Sequence, residues 1–456
     1  MATLTLQPEP DTAPDNPDNY NYTTLTPDDL LKAIDKFNYS QPVKSSLRNL
    51  KSNILVDDPV IETDEAGSLT LTGTIGKSRF LLKFPPKWNH ELVLLVHGYI
   101  DPGTPISLEQ IGLDQIDLGV LNSAFEQGFA YGYSTFGKVG YAVEEGTKHT
   151  LYIKKLTEVL GLERAYLSGR SMGGNITIAL LEKYPREFAG ALTYCGVMSG
   201  WYEQIKYLSD FRVIYDYFTK PLGAPITLAG CGDVLTVVTL PNRQEVINSV
   251  SALFSMAEIN MNTSPANSTM INIIKRISLI TGVNPDPISY MTVLLTNTVG
   301  LSDYLETASA NGYSNENKVY KYPPEYIPAS EDIKALETLN DCVQRLPCKR
   351  VATAYLKRWY TPTGKFRAKL LALHNLKDPS VPFIHELKLD EMARKFGSKL
   401  VVWIAPDKPT VPGDPESGPG HCFFTPEQMS FAWKELRNWV ETGNLPTGGF
   451  PNELMS

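Results

Sequence analysis

The stretch AYLSGRSMGGNITIALLEKY (165–184) decides the fold, because a short apolar strand runs into a helix with no loop between them. Its first six residues are typical of a buried strand, and the helical pattern that follows ends at Pro185. The junction carries a G-x-S-x-G sequence, Gly169-Arg170-Ser171-Met172-Gly173. Glycines suit such a turn, because side chains there would collide with the neighbouring strand and helix. The stretch therefore predicts a sharp strand-to-helix turn that exposes the Ser171 hydroxyl above a sheet.

Strands and helices alternate outward from this turn. The expected strands are 67–75, 77–84, 92–98, 128–136 and 189–197, with a helix at 144–162. The alternation resumes near the C-terminus with strands at 366–374 and 399–406 and a helix at 425–443. Such alternation predicts a mainly parallel sheet with helices on both faces. The first two strands, which a single glycine separates, are expected to form an antiparallel pair.

A long interruption of this alternation defines the domain organisation. Residues 201 to about 365 carry Met-, Leu- and Ile-rich helical patterns, which indicate a helical cap inserted after the strand that follows the Ser171 helix. The expected units are an N-terminal arm and lead-in, the first part of an α/β core, the cap, and the second part of the core, at 1–60, 61–200, 201–365 and 366–456.

Composition excludes several classes of protein. The 456 residues include 42 Lys and Arg against 50 Asp and Glu, and the net charge of −8 argues against a nucleic-acid binder or a polybasic membrane-surface protein. No run approaches 18 uncharged apolar residues, so no membrane span is expected. The segment MATLTLQPEPDTAPDNPDNYNYTT (1–24) lacks the features of a signal peptide, which favours a cytoplasmic location.

Neither a cofactor nor a metal is expected. No cofactor fingerprint occurs in the sequence. The acidic, proline-rich segment PDKPTVPGDPESGPG (406–420) lacks a recognisable ligand spacing, and we interpret it as a solvated loop. The expected partner is a small molecule.

A serine nucleophile needs a base, and the base needs an acid that orients it. Among six histidines, His421 alone lies in a loop between the last predicted strand and the final helix, where the hydrolase chain order places the base. Asp378 follows the C-terminal end of the penultimate strand and is the expected acid. The alternatives are Asp390, which is expected on a helix, and Asp407, which follows the last strand. The predicted catalytic set is Ser171, His421 and Asp378.

Acyl transfer also requires donors for an oxyanion. His97-Gly98-Tyr99 ends the third strand, and the backbone N–H of Tyr99 is one expected donor. The second is the backbone N–H of Met172, which follows the nucleophile. His97 is interpreted as structural.

Apolar side chains of the cap are more numerous than a short surface helix pair needs for its own packing, although packing remains the expected role of any single one. They are Leu253, Phe254, Met256, Met261, Met270, Ile273 and Ile274. Together they favour a roof over Ser171 that removes water from a bulky apolar or aromatic ester. The residues expected to touch substrate are Arg170, Phe254 and Met256.

The chain resembles α/β-hydrolases, and more narrowly bacterial feruloyl-esterase-type and related ester hydrolases. The resemblance covers roughly 90–200 and 366–443 and rests on VHGYIDPGTP, YSTFGKVGYAVEEG, GRSMGGNITIALLEKYPREFAGALTYCGVMSG, LHNLKDPSVP and GHCFFTPEQM. It implies an α/β-hydrolase fold with a mostly parallel central sheet. It also implies ester hydrolysis through Ser171, Asp378 and His421, with a cap that selects the acyl or alcohol part.

One departure from this resemblance concerns cysteine. Fungal tannases and feruloyl esterases pair a cysteine before the serine with one after the histidine. Here Cys422 follows His421, but Arg170 precedes Ser171, so that bridge cannot form. The departure weakens a specific feruloyl or tannin assignment. Cys195 is an alternative partner for Cys422.

The cysteine count favours free thiols. The five cysteines are Cys195, Cys231, Cys342, Cys348 and Cys422, which are too few and too scattered for a disulfide scaffold. Cys342 and Cys348 could bridge a small surface loop, but reduced thiols are expected in an intracellular chain. Activity is therefore expected to survive mild reductant.

Two other classes of function fit the same residues. A thioesterase or acyltransferase of secondary metabolism, or a peptidase, would use the same triad with another substrate or acceptor. A hydrolase-fold binding protein would need no catalysis, but it would have no use for all three triad residues. A serine hydrolase that acts on a carboxylic ester is the leading hypothesis.

Overall fold

The structure is a computed structural model, and it describes residues 21–39, 55–111, 113–229, 243–263, 269–409 and 418–455. The first twenty residues of the expected N-terminal arm and the Cys231 thiol lie outside these ranges. So does most of the acidic loop at 406–420.

A nine-stranded sheet forms the centre of the described chain, in the order β1-β2-β3-β5-β4-β6-β7-β8-β9. Its strands are β1 (Val56–Thr63), β2 (Leu69–Ile75), β3 (Ser78–Phe84), β4 (Glu91–Val96), β5 (Ala130–Ser134), β6 (Arg164–Arg170), β7 (Gly190–Tyr194), β8 (Lys369–Asn375) and β9 (Leu400–Ala405). The pairs β1–β2, β2–β3 and β3–β5 are antiparallel. All pairs from β5 through β4 to β9 are parallel. The predicted antiparallel pair and the mainly parallel sheet are both confirmed.

Helices cover both faces of the sheet. They are α2 (Gln115–Glu126), α3 (Val143–Glu158), α4 (Met172–Lys183), α11 (Ile384–Phe396) and α12 (Pro426–Thr442). Alternate residues of β4 point to opposite faces. Leu92 and Leu94 join the core cluster that includes α3 and α4, whereas Val93 and Leu95 join the cluster that includes α2 and α12. A strand buried on both faces is apolar throughout, which explains the unbroken run in β4.

The described part of the N-terminal region contains a helix and a strand. Helix α1 (Pro27–Tyr39) lies within the first 60 residues, and β1 crosses the expected boundary at residue 60. The sequence of β1, VDDPVIET, contains a proline and four acidic or hydroxyl side chains, and most of the strand is exposed. It is an edge strand, where proline and charge are tolerated, and for that reason it lacks the apolar pattern of the inner strands.

Six helices lie between β7 and β8 in the described chain. They are α5 (Trp201–Thr219), α6 (Arg243–Thr263), α7 (Thr269–Thr281), α8 (Pro287–Ala308), α9 (Ser330–Cys342) and α10 (Arg350–Arg358). Helices α5 and α6 each pack against α7 and α8. A search of the described helices for one both long and apolar enough to span a membrane finds none.

The order of strands confirms the α/β-hydrolase fold. Strand β4 lies between β5 and β6, so the chain crosses over once before the parallel strands continue in sequence order to β9. Strand β6 passes directly into α4 at Ser171. A G-x-S-x-G turn from a central strand into a helix is the defining site of this fold.

Candidate active site

Ser171 occupies a strained backbone conformation at the turn between β6 and α4. Its φ of 53° and ψ of −115° are rare for a residue with a side chain. The surroundings hold the conformation, because the Ser171 N–H donates to the carbonyl of Tyr194 (3.1 Å) and the Ser171 carbonyl accepts from the N–H of Val197 (3.1 Å). Both bonds come from the end of β7 and the residues after it. The turn therefore fixes the hydroxyl rather than leaving it mobile.

The two flanking glycines are required by close packing. A Cβ at Gly173 would overlap the carbonyl group of Val96 at the end of β4. A Cβ at Gly169 would overlap Thr177 and the backbone of Gly173. The G-x-S-x-G pattern thus has a steric origin in this chain.

The predicted triad residues are joined by hydrogen bonds. His421 Nε2 lies 2.9 Å from Ser171 Oγ, and His421 Nδ1 lies 2.7 Å from Asp378 Oδ2. The Asp378 side chain is fully buried, while His421 is about a quarter exposed. An Nδ1–H that donates to Asp378 leaves Nε2 free to accept the Ser171 proton. The arrangement can act as a nucleophile, base and orienting acid.

Asp378 is the acid that the structure brings to His421. Its other oxygen, Oδ1, accepts the backbone N–H groups of Ser380 (2.9 Å) and Val381 (3.0 Å), so Oδ2 faces the imidazole. The two alternative carboxylates have other partners. Asp390 pairs with Arg394 on α11, and Asp407 accepts the N–H of Lys377.

The His421 loop is held by Asn375, a residue that the sequence analysis did not single out. The Asn375 side chain donates to the carbonyls of Pro406 (2.7 Å) and Phe423 (2.9 Å) and accepts the N–H of Phe423 (3.0 Å). Asn375 is buried at the end of β8. A polar residue that ends the apolar run LLALHN was the available signal.

A disulfide joins Cys195, just after β7, to Cys422, with 5.2 Å between the Cα atoms. The expectation of free thiols is therefore wrong for these two residues, and the alternative pairing with Cys195 is the one that forms. Cys342 and Cys348 are exposed free thiols and do not bridge each other. The strand order explains the pairing, since β7 lies beside β6 and brings Cys195 within reach of the His421 loop.

The disulfide also bears on metal binding. The sulfurs of Cys195 and Cys422 and a ring nitrogen of His421 lie within 4.8 Å of one another. Metal binding by cysteine requires thiolates, whereas these sulfurs are bonded to each other. The group does not fit a metal site.

The expected oxyanion donors flank Ser171. A Cβ on Gly98 would lie 3.3 Å from Ser171 Cβ, so the chain that leads to Tyr99 passes beside the nucleophile. Met172 is the first residue of α4, and an amide in the first helical turn has no acceptor within its own helix. These positions suit the predicted donor roles of Tyr99 and Met172.

His97 is buried beneath this loop. Its ring stacks on Phe136 with 3.9 Å between the ring centres, and Nδ1 lies 2.8 Å from the carbonyl oxygen of Gly98. Burial lowers the pKa of His97 to about 4, so the ring is neutral near pH 7. A neutral Nδ1–H that donates to the Gly98 carbonyl fits the structural role expected for His97.

A cavity of about 450 Å³ opens over Ser171 and His421. Helices α5 and α8 supply much of its apolar lining: Trp201, Ile205, Leu208, Leu295, Val299, Leu301 and Tyr304. Ile116, Val197 and Val381 of the core add further apolar surface. The cavity is therefore a largely apolar chamber with Ser171 and His421 at its base.

Two of the three expected substrate contacts lie elsewhere. Phe254 packs its ring against Tyr290 (5.2 Å between centres), and Met256 is 43% exposed. Neither lines the cavity, because α6 reaches it in the described chain through Arg243 instead. Leu253, Met270, Ile273 and Ile274 are buried in the main core cluster, and the Met261 side chain lies outside the described part.

Arg170 does line the cavity, but it is tied to neighbouring acids. It pairs with Asp114, next to α2, and its guanidinium lies 3.4 Å from the buried Asp117. Tyr194 donates its hydroxyl to the other oxygen of Asp117. Burial raises the pKa of Asp117. Arg170 thus fastens the turn at Ser171 to α2.

No family model and no curated protein matches the sequence. Solved structures with a similar arrangement include tannin acyl hydrolase from Aspergillus niger, with 13% identity, a TM-score of 0.48 and coverage of 92% of this chain and 88% of that one. Feruloyl esterase B from Aspergillus oryzae has 12% identity, a TM-score of 0.46 and 91% coverage of both chains. An esterase from Aspergillus oryzae has 11% identity, a TM-score of 0.43 and coverage of 87% and 88%. The strand order and the turn at Ser171 define the fold of this chain.

Proposed function

We propose that the protein is a serine hydrolase that cleaves the carboxylic ester of a bulky apolar or aromatic small molecule through an acyl-enzyme. The observation that carries the proposal is the continuous hydrogen-bonded chain from Asp378 through His421 to Ser171, at the base of a largely apolar cavity. A nucleophile, a base within hydrogen-bond reach and a third group that orients the base are the parts that acyl transfer requires.

The proposed reaction has two halves. Ser171 Oγ attacks the ester carbonyl while His421 Nε2 takes its proton, and Asp378 stabilises the imidazolium that forms. The backbone N–H groups of Tyr99 and Met172 bind the oxyanion. His421 then protonates the leaving alcohol, and the bond between the carbonyl carbon and the alcohol oxygen breaks. His421 then deprotonates a water molecule that attacks the carbonyl carbon of the acyl-enzyme. The bond between that carbon and Ser171 Oγ breaks, the carboxylic acid leaves, and His421 returns the proton to Ser171 Oγ.

The substrate class follows from the walls of the cavity. Apolar side chains of α5 and α8 would bury the apolar part of an ester and exclude water from the carbonyl. We propose that the inserted helices act as the cap expected from the sequence. Each additional buried methylene is worth about 0.8 kcal/mol at most. kcat/KM for p-nitrophenyl esters should therefore rise with the size of the acyl group until the cavity is full.

A fluorophosphonate probe tests the nucleophile directly. The wild-type protein should incorporate one probe per chain, and peptide mapping should place the adduct on Ser171. Ser171→Ala should lose labelling and nearly all turnover while keeping the thermal unfolding temperature of the wild type within a few degrees. Near-normal turnover in this variant would contradict the proposed mechanism.

A substrate panel separates ester hydrolysis from the other functions of this triad. Matched oxygen esters, thioesters and anilides with the same acyl group should be hydrolysed fastest as oxygen esters. Preference for the thioester or the anilide would favour a thioesterase or a peptidase. A panel in which acetate esters are hydrolysed faster than every larger ester would contradict an apolar substrate cavity.

A further inference from the structure

We propose that Tyr207 is a positioning residue for the catalytic acid and that, with Gln204 and His374, it locks the turn that carries Asp378. The proposal rests on the proposed function, in which Asp378 orients His421. Tyr207 and Gln204 belong to α5 of the inserted helices, while His374 belongs to β8 of the core. We call residues 378–381 the acid turn, and we call Tyr207, Gln204 and His374 the acid-turn clamp.

Three consecutive carbonyl groups of the acid turn accept hydrogen bonds from the clamp. The Tyr207 hydroxyl donates to Pro379 (2.8 Å), and the Gln204 amide donates to Ser380 (2.7 Å). His374 Nε2 lies 2.8 Å from the carbonyl of Val381. The N–H groups of Ser380 and Val381 are the donors that hold Asp378 Oδ1. Tyr207 and Gln204 therefore bind the carbonyls of the two peptide groups whose N–H donors orient the carboxylate, and His374 binds the next carbonyl along the chain.

The Gln204 amide is itself oriented by a buried histidine. His385 Nδ1 accepts the N–H of Ser199 (3.1 Å) and lies 2.7 Å from its hydroxyl, which leaves the proton of the neutral ring on Nε2. His385 Nε2 then donates to Gln204 Oε1 (2.9 Å), and this turns the NH₂ group of Gln204 toward Ser380. Burial lowers the pKa of His385 to about 3, which keeps the ring neutral.

His374 contacts the acid turn from β8. Its Nδ1 lies 3.1 Å from Glu386 Oε1, and both side chains are fully buried. A proton shared between Glu386 and Nδ1 leaves Nε2–H to donate to Val381. The neighbouring carboxyl of Glu386 raises the pKa of His374 against the opposing effect of burial.

Tyr207 is the member of the clamp whose effect is confined to the acid turn. Gln204 also lines the substrate cavity, whereas Tyr207 does not appear among the described residues that line it. Loss of the Tyr207 hydroxyl leaves the Pro379 carbonyl without this donor, so the turn can relax and move Oδ2 relative to His421 Nδ1. Small displacements of a catalytic group cost large factors in rate.

The test compares Tyr207→Phe with Tyr215→Phe on the same helix. The Tyr215 hydroxyl is also buried and also hydrogen-bonded, to Ser249 Oγ and the Ile226 carbonyl, away from the acid turn. With a p-nitrophenyl ester, Tyr207→Phe should lower kcat about 10-fold with KM unchanged. Tyr215→Phe should lower kcat less than about 2-fold while losing similar thermal stability. Equal effects of the two variants on kcat would overturn the proposal.

A double-mutant cycle shows whether Tyr207 acts through Asp378. In the Asp378→Asn background, Tyr207→Phe should change kcat less than about 2-fold, because the carboxylate that the turn positions is already absent. Full additivity of the two substitutions would also overturn the proposal. Failure of the proposed function would be seen in a separate experiment, in which Ser171→Ala would retain turnover or fluorophosphonate labelling.

Discussion

Ser171 has a strained backbone conformation that neighbouring residues stabilise. Ser171 has a positive φ that few residues with a side chain adopt. Its N–H donates to the Tyr194 carbonyl and its carbonyl accepts from the Val197 N–H, and these two bonds stabilise the conformation. The sequence predicted the residues of this turn because their spacing is short and their steric demands are local. It did not single out Asn375 or Tyr207, because their partners lie 48 and 172 positions away along the chain.

The prediction that Asp378 is the acid can be tested by substitution. Asp378→Asn should lower kcat on the order of 10⁴-fold, as the same change does in serine proteases, because the imidazole is then held in the wrong tautomer. Asp390→Asn is the matched control, since this carboxylate pairs with Arg394 on the surface of α11. Steady-state kinetics on one ester checks both variants. A large loss in the control together with an active Asp378 variant would reassign the acid.

Among the elements, unbroken apolar runs predicted the parallel strands, and helical periodicity predicted α3, α4 and α12. Helix α2 was not predicted. The apolar pattern also favoured substrate contacts on α6, whereas α5 and α8 supply most of the cavity lining that comes from the inserted helices. The pattern shows that a helix has an apolar face but not which neighbour that face meets. The direction of Phe254 depends on how α6 packs against α8, a contact between distant segments.

The disulfide supports a prediction that reverses the expectation from sequence. Cys422→Ser should lower the free energy of unfolding by about 2–5 kcal/mol, because it removes a crosslink between segments 227 positions apart. It should also lower kcat, since the neighbouring His421 loses a covalent tie to the end of β7. Urea titration and ester kinetics measure the two effects.

Cys342→Ser is the matched control for this prediction, because Cys342 is an exposed free thiol. It should leave both stability and kcat at wild-type values. If Cys422→Ser behaves like this control, the bridge contributes nothing to the site. Disulfides persist mainly in oxidising compartments, so the cytoplasmic location expected from the sequence stays a prediction, which a thiol count on protein from its native source would test.

Across the described chain, histidines whose pKa is lowered by burial contribute to the loss of folding stability at acid pH. Burial lowers the pKa of His97 and His149 to about 4 and that of His385 to about 3. Below the ordinary histidine pKa of about 6.5 the unfolded chain binds these protons first, so each such histidine lowers stability as pH falls. Glu91 acts in the opposite sense, because burial raises its pKa to about 7 and the folded state keeps that proton between about pH 4.5 and 7.

His149 lies away from the candidate active site, so a substitution there measures one of these contributions to stability by itself. Relative to wild type, His149→Gln should gain up to about 1.4 kcal/mol of unfolding free energy per pH unit as pH falls from 6.5 to 4. Above pH 7 the difference between the two proteins should be independent of pH. Urea unfolding across this range measures it, and parallel curves for the two proteins would mean that His149 takes up its proton at the same pH in the folded and unfolded states.

The disulfide has a topological consequence for limited proteolysis. The bond between Cys195 and Cys422 closes a ring that contains all six inserted helices. A single cut in that region places Ser171 on one fragment and Asp378 and His421 on the other, yet the two fragments remain one covalent molecule. Nicked protein should therefore migrate as a single species under denaturing conditions and separate into two bands only when the sulfur bridge is reduced. Ser171 and His421 stay covalently connected even when the chain between them is broken.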